Sequence, residues 1–334
     1  MPPRTGPPAA ADPGEVARAI RAGDRRAMAR AITKLESTRD DDYAAGQAIL
    51  EEMIEDAGDA IRVGITGPPG VGKSTFIEAL GLYLVEQGKR VAVLAVDPSS
   101  PVTGGSILGD KTRMERLTVK KEAFIRPSPS GGSLGGVAHR TREAMLLCEA
   151  AGYDVILIET VGIGQSEVTV ASMVDFFLVL LLPSGGDELQ GIKKGVIELA
   201  DALVVNKADG PMEQTAHRTR VDYASALDLI RSGNDEWRPV ALAASALNEE
   251  GIAAVWNTIL EHHELCVGNG GFEQRRRDQA KDWMWKLVDE GIAREFREQP
   301  GMDARIAEQE ASVAAQKATP AAAARVLLDA FRAR

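Results

Sequence analysis

Ile61-Arg-Val-Gly-Ile-Thr66 runs directly into Gly67-Pro68-Pro69-Gly70-Val71-Gly72-Lys73-Ser74, and Thr75-Phe-Ile-Glu-Ala-Leu-Gly-Leu-Tyr-Leu-Val-Glu-Gln-Gly88 follows. The first six residues are a short apolar run with strand character. The next eight match G-x-x-x-x-G-K-[ST]. In that loop the glycines let backbone N–H groups turn inward around phosphates, and the following helix adds the positive end of its dipole. A strand before and a helix after is the context the motif needs, so a nucleotide is expected on residues 67–75. Lys73 then bridges the terminal phosphates, and Ser74 ligates Mg²⁺ with Thr75 beside it.

Outward from this stretch the same alternation repeats. Apolar runs at 91–97, 123–128, 154–160, 176–183, 202–208 and 240–245 are separated by helical segments. Several are apolar throughout, as strands covered on both faces are. The reading is an α/β fold, a doubly wound and mostly parallel sheet over residues 59–264. Ligands of such sheets sit beyond the carboxyl ends of the strands.

Two appendages flank this domain. Residues 1–14 carry five of the sixteen prolines and read as a disordered N-terminus. Residues 15–58 read as a helical module, one helix over 15–37 and a second over 40–57. The cluster Asp40-Asp41-Asp42 caps the second, where negative charge suits a helix N-terminus. Residues 265–334 read as a helical arm. Its first helix, ended by Pro300-Gly301, carries Trp283, Leu287, Val288, Ile292 and Phe296 on one face. Twelve of residues 302–334 are alanine, which leaves little bulk to cover that face. Burial against a second copy of the chain is the economical solution; folding back on the rest of the chain is the alternative.

Composition excludes other classes. The net charge is −10, whereas a general nucleic-acid binder needs a basic surface. The longest purely apolar run is seven residues, Phe176 to Leu182, against the ~20 of a membrane-spanning helix. No apolar stretch near the start resembles a secretion signal. Two cysteines, Cys148 and Cys266, read as reduced thiols of a cytoplasmic protein.

Asn206-Lys207-Ala208-Asp209 follows the run ALVV. A carboxylate at Asp209 can accept from both the ring N–H and the exocyclic amine of guanine, whereas adenine presents an acceptor instead. A site built on such bonds discriminates strongly, so GTP and GDP are expected rather than adenine nucleotides. Asn206 can brace neighbouring loops, the stem of Lys207 can lie along the base, and Ser245-Ala246-Leu247 fits a third loop on the base side. Asp97 and Glu159 end strands and Asp110 lies in a loop rich in Gly, Ser and Pro. With Ser74 they are the candidate Mg²⁺ ligands, because Mg²⁺ prefers oxygen. Gly162 would offer its N–H to the γ-phosphate. Gln165 lies three residues beyond Gly162, too far to be assigned as the group orienting the attacking water. The sequence leaves that role open between Asp97 and Asp110.

In order, GPPGVGKST (67–75), VDPSSPVTGGSILGDKTRM (96–114), IETVGIGQSE (158–167), LLPSGGDELQGIKKG (181–195) and NKAD (206–209) resemble the MeaB/ArgK family of P-loop GTPases. The resemblance spans roughly residues 15–334. It implies a homodimeric G protein that binds adenosylcobalamin-dependent methylmalonyl-CoA mutase, gates cobalamin loading and protects the enzyme. It also implies that Lys73, Ser74, Asp97, Asp110, Glu159 and Asp209 take the roles given above. Residues 184–194 become a further switch with Asp187, Glu188 and Lys193 as its charged members. Two other functions stay open. A nickel-delivering GTPase would carry His-rich tracts or paired Cys/His ligands. Of His139, His217, His262 and His263 only the last two are adjacent, near a helix end, and they read as surface residues, while the two cysteines lie far apart. A small-molecule kinase would need an acceptor pocket for which no motif is present.

Overall fold

The computed structural model describes residues 12–96, 114–127, 134–160, 166–183, 194–230 and 236–333. Seven strands, β1 (Ile61–Thr66), β2 (Val91–Val96), β3 (Ala123–Arg126), β4 (Val155–Thr160), β5 (Phe176–Leu181), β6 (Ala202–Val205) and β7 (Val240–Ala243), form one sheet in the order β3-β2-β4-β1-β5-β6-β7. Every adjacent pair is parallel. The chain builds β2, β3 and β4 on one side of β1, then β5, β6 and β7 on the other. The carboxyl end of β1 therefore lies at a switch point, where such sheets open a crevice.

Both faces of the sheet are covered, which is why several of the strands read as unbroken apolar runs. On one face α4 (Lys73–Glu86) and α10 (Ile252–Gly268) bring Phe76, Ile77, Leu80, Val255 and Trp256 against Val63, Ile65, Leu157 and Leu178. The short α5 (Glu115–Thr118) adds Leu117, whose side chain lies so close to Gly81 that a Cβ there would meet it at 2.5 Å. On the other face α6 (Leu134–Ala150), α7 (Ser166–Ala171), α8 (Lys194–Glu198) and α9 (Glu213–Ile230) cover Ile156, Ile158, Phe177, Val179 and Leu203.

The N-terminal helices share that second core. The pattern suggests one helix over 15–37, but the structure has two, α1 (Pro13–Arg21) and α2 (Arg25–Leu35). The break is chemical. Gly23 takes φ +87°, and the Asp24 carboxylate accepts from the backbone N of Arg26 at 2.8 Å and of Ala27 at 3.0 Å, capping α2. Those bonds hold the Asp24 carboxyl below its ordinary range. α3 (Asp40–Glu51) stops short of the expected Ala57, and a 3-10 turn at Ile54–Asp56 follows. Asp42 meets Lys34 and Arg39, as a solvated cap does. Arg25 donates to the carbonyl of Ala123 at 2.5 Å, and Arg126 pairs with Glu36. These ties cover β3, the strand at one edge of the sheet, whose open backbone would otherwise invite pairing.

The chain divides into two compact units, one running to Phe272 and the other starting at Glu273. α11 (Gly271–Glu298) leads into the second, with α12 (Met302–Ala314) and α13 (Pro320–Arg332). Thr319 caps α13, accepting from the backbone N of Ala322 at 3.2 Å, with Pro320 in the first turn. Phe296 of α11 stacks edge-on against Phe331 of α13, with ring centroids 5.5 Å apart, so α13 covers part of the apolar face of α11. Trp285 and Ile292 remain 61% and 55% exposed. No described helix is long and apolar enough to cross a membrane.

Candidate functional site

The phosphate loop leaves β1 at Thr66. Gly67 takes φ +153°, and a Cβ there would meet the Leu180 carbonyl at 2.6 Å, so only glycine lets the loop pass beside β5. Gly72 takes φ +91° at the start of α4, where a Cβ would meet the Asn206 amide nitrogen at 2.9 Å. Val71 is buried, Pro68 half-buried, and Pro69, Gly70 and Thr75 are exposed. Lys73 is the first residue of α4, and its ammonium donates to the carbonyls of Gly67 (2.8 Å) and Pro68 (3.3 Å). The cation thus lies over the loop's own backbone, beside the first-turn N–H groups of α4 that no helical carbonyl can reach.

Ser74 Oγ donates to Glu159 Oε1 at 3.3 Å. Glu159 is 6% exposed near the end of β4, in register with Ile65 of β1. A hydroxyl and a buried carboxylate at this distance form a hard oxygen donor set of the kind that suits Mg²⁺.

The third part follows β6. Asn206 is 1% exposed. Its Nδ2 donates to the Val71 carbonyl at 2.8 Å, and its Oδ1 accepts from the backbone N of Ala246 at 3.1 Å. One amide therefore joins the phosphate loop to the loop after β7. Lys207 is exposed and takes φ +60°, an uncommon conformation for a residue with a side chain. Asp209 Oδ2 accepts from the Ser245 hydroxyl. Ser245 and Glu250 exchange two backbone bonds of 3.0 Å, closing the loop that carries Ala246 and the exposed Leu247. Through Asn206 the loop that carries Lys207 and Asp209 and the loop that carries Ser245, Ala246 and Leu247 are both linked to the phosphate loop. Asp97, Asp110, Gly162, Gln165 and residues 184–193, with Asp187, Glu188 and Lys193, lie outside the described residues.

Several contacts escape sequence reading. Thr160 Oγ1 donates to Thr66 Oγ1 at 2.7 Å, where β4 and β1 end. Tyr43 and Gln47 of α3 both donate to Glu143 Oε1 on α6, and the Tyr43 hydroxyl also lies 3.0 Å from His139 Nε2. Burial pushes the Glu143 carboxyl up to about 7, against the opposing pull of those hydrogen bonds and of Arg140. His262 reads as a surface residue but is buried, because Phe176 and Trp237 set their rings edge-on to it at 5.1 and 5.0 Å. Asp201 lies 3.8 Å from its Nε2. Its neighbour His263 faces Phe272 instead. Among the described residues no group of three or more His, Cys, Asp or Glu is placed to hold a metal.

The chain is similar to known proteins along most of its length. A chain of Caulobacter vibrioides whose name includes the word GTPase is 55% identical over 310 residues, 93% of this chain and 95% of that one. The mitochondrial methylmalonic aciduria type A homolog of Mus musculus is 47% identical over 322 residues, 93% of this chain and 78% of its own. A crystal structure titled LAO/AO transport system kinase superposes with a TM-score of 0.77 at 37% identity, covering 96% of this chain and 97% of that one. Residues 28–301 match the family described as Methylmalonyl Co-A mutase-associated GTPase MeaB. With the phosphate loop and the N-K-x-D loop joined in one site, and with these relatives along nearly its whole length, the chain belongs to the MeaB family of GTPases.

Proposed function

We propose that this GTPase serves as a G-protein chaperone of a cobalamin-dependent mutase, binding methylmalonyl-CoA mutase and coupling GTP turnover to cofactor loading and protection. The family's description and the mouse relative's name support the choice of partner. The observation that carries the nucleotide half is the Asn206 amide, which ties a phosphate loop and a guanine-type loop into one site.

In this reading the N–H groups of Gly67 and of residues 70–75 and the α4 dipole bind the β- and γ-phosphates. Lys73 exchanges its bonds to Gly67 and Pro68 for phosphate oxygens. Asp209, oriented by Ser245, accepts from guanine, and Lys207 lies along the base. The backbone at Ala246 and Leu247 meets the guanine carbonyl. Ser74 and Glu159, with Asp97 and Asp110, would hold Mg²⁺, which when bound neutralises charge on the phosphate oxygens. Gly162 donates to the γ-phosphate. Water attacks the γ-phosphorus, the bond to the β–γ bridging oxygen breaks, and GDP and phosphate leave. The apolar face of α11 around Trp285 and Ile292 supports a homodimer.

Affinity purification from extract with the chain loaded with GDP or a non-hydrolysable GTP analogue tests this. Nucleotide-dependent recovery of a mutase subunit supports it. Tightly bound nickel favours metal delivery, and a phosphorylated small molecule favours a kinase. GTP hydrolysis should be lost in Lys73→Ala.

A further inference from the structure

Strands β1 and β4 are paired along their length, in register from Ile61 with Val155 to Ile65 with Glu159. Backbone pairing between them stops there, one residue before each strand ends. Beyond it, Thr66 and Thr160 face each other and the contact becomes a side-chain bond, Thr160 Oγ1 to Thr66 Oγ1 at 2.7 Å. Both residues are buried, at 2% and 0% exposure. Each is also held on its other side, Thr66 in register with Val179 of β5 and Thr160 with Val96 of β2. The two hydroxyls therefore take over from the backbone where β1 gives way to the phosphate loop and β4 ends.

The position matters because of what the neighbouring residues hold. Thr66 precedes Gly67, whose carbonyl receives the Lys73 ammonium at 2.8 Å. Thr160 follows Glu159, which receives the Ser74 hydroxyl at 3.3 Å. Side chains alternate along a strand, so the threonines lie on the α7 face while Glu159 points to the α4 face with Ser74. A shift of β4 relative to β1 at this point changes the Ser74–Glu159 distance directly. Transferring phosphate needs its charged groups held to a fraction of an ångström.

We infer that Thr66 and Thr160 are a pair of positioning residues that sets the spacing between the phosphate loop and Glu159 for GTP hydrolysis. The inference rests on the GTPase site proposed above. The buried pair acts through Gly67, Lys73, Ser74 and Glu159. Threonine suits the role because its hydroxyl bonds across the strand gap while its methyl stays in the apolar second face. Valine keeps the shape and deletes the bond; serine keeps the bond.

The test uses the full chain with Thr160→Val, Thr160→Ser, Thr66→Val and the double valine variant. Thermal midpoint, GDP affinity and steady-state GTP turnover are measured for each. Thr160→Val should keep GDP affinity within about threefold and lose at least tenfold in kcat with KM little changed. Thr160→Ser should recover most of that rate. Because the hydroxyls act as one unit, the double valine variant should be no slower than the worse single variant. Wild-type kcat in a folded Thr160→Val, or equal defects in the valine and serine variants, overturns the pair. A fall in kcat that only tracks a fall in thermal midpoint also overturns it. Failure of the site itself looks different: wild-type and Lys73→Ala chains would then be alike in GTP turnover.

Discussion

Asn206 donates to the carbonyl of Val71, 135 residues upstream, at 2.8 Å, and this bond joins the N-K-x-D loop to the glycine-rich loop after β1. The amide oxygen is used as well, by the backbone N of Ala246. Replacing Asn206 with alanine leaves a buried carbonyl and a buried N–H without their partner, at a cost of about 1–3 kcal/mol for each group. Asn206→Ala should lower the denaturation midpoint and weaken GDP binding at least tenfold, read by chemical denaturation and by titration with a fluorescent guanine nucleotide. Asn206→Asp should also fail, since a carboxylate would face the Val71 carbonyl with no proton to offer.

Asp209 is already oriented by the Ser245 hydroxyl. Its exchange for asparagine keeps the shape and turns one acceptor into a donor. GTP affinity should fall by orders of magnitude, and preference should move toward xanthine nucleotides, which carry a carbonyl where guanine has its amine. Competition binding with GTP and XTP checks this. An unchanged guanine preference would mean that the base is read elsewhere.

Glu143 gives the fold a pH dependence. Burial raises its folded-state pKa from 4.5 to about 7. The folded chain therefore holds this proton more tightly than the unfolded chain does. Stability from this group is complete below about pH 4.5, falls as pH rises toward 7, and is flat above that. Tyr43 and Gln47 of α3 and His139 and Arg140 of α6 surround the carboxyl. Glu143→Gln keeps an acceptor for Tyr43 and Gln47 and removes the buried charge. It should leave stability at pH 5 little changed and raise it at pH 8 by about 1–3 kcal/mol. Urea denaturation at the two pH values reads the difference.

The exposed side chains Trp285 and Ile292 supply the surface of the proposed dimer. Charged residues on such a face leave the helix intact but oppose burial against a second copy. Trp285→Glu combined with Ile292→Glu should convert a dimer at micromolar concentration into a monomer that still binds GDP. Light scattering decides; a monomeric parent chain, or a variant that stays dimeric, ends the idea.

Much of the fold is legible because its signals are local. The run from Ile61 to Gly88 contains a strand, a glycine loop and a helix whose meanings depend on neighbours a few residues away. Unbroken apolar strands announce burial on both faces, and the N-K-x-D loop announces guanine. The local signal at Gly23-Asp24 was also present, and it divides α1 from α2 where apolar spacing alone suggests one helix.

What the tertiary structure alone decided is which distant groups meet. Hydrophobic periodicity says that a side chain is buried, never opposite what. Sheet order places β4 beside β1, and only that adjacency brings Thr160 to Thr66 and Glu159 to Ser74. The packing of α3 on α6 turns Tyr43, Gln47, His139 and Glu143 into one polar cluster. His262 is polar by type and buried by context, because two aromatic rings from other elements enclose it. Sequence fixes the chemistry each residue carries, and long-range packing fixes its partners, because pairing energy depends on distances that no local pattern encodes.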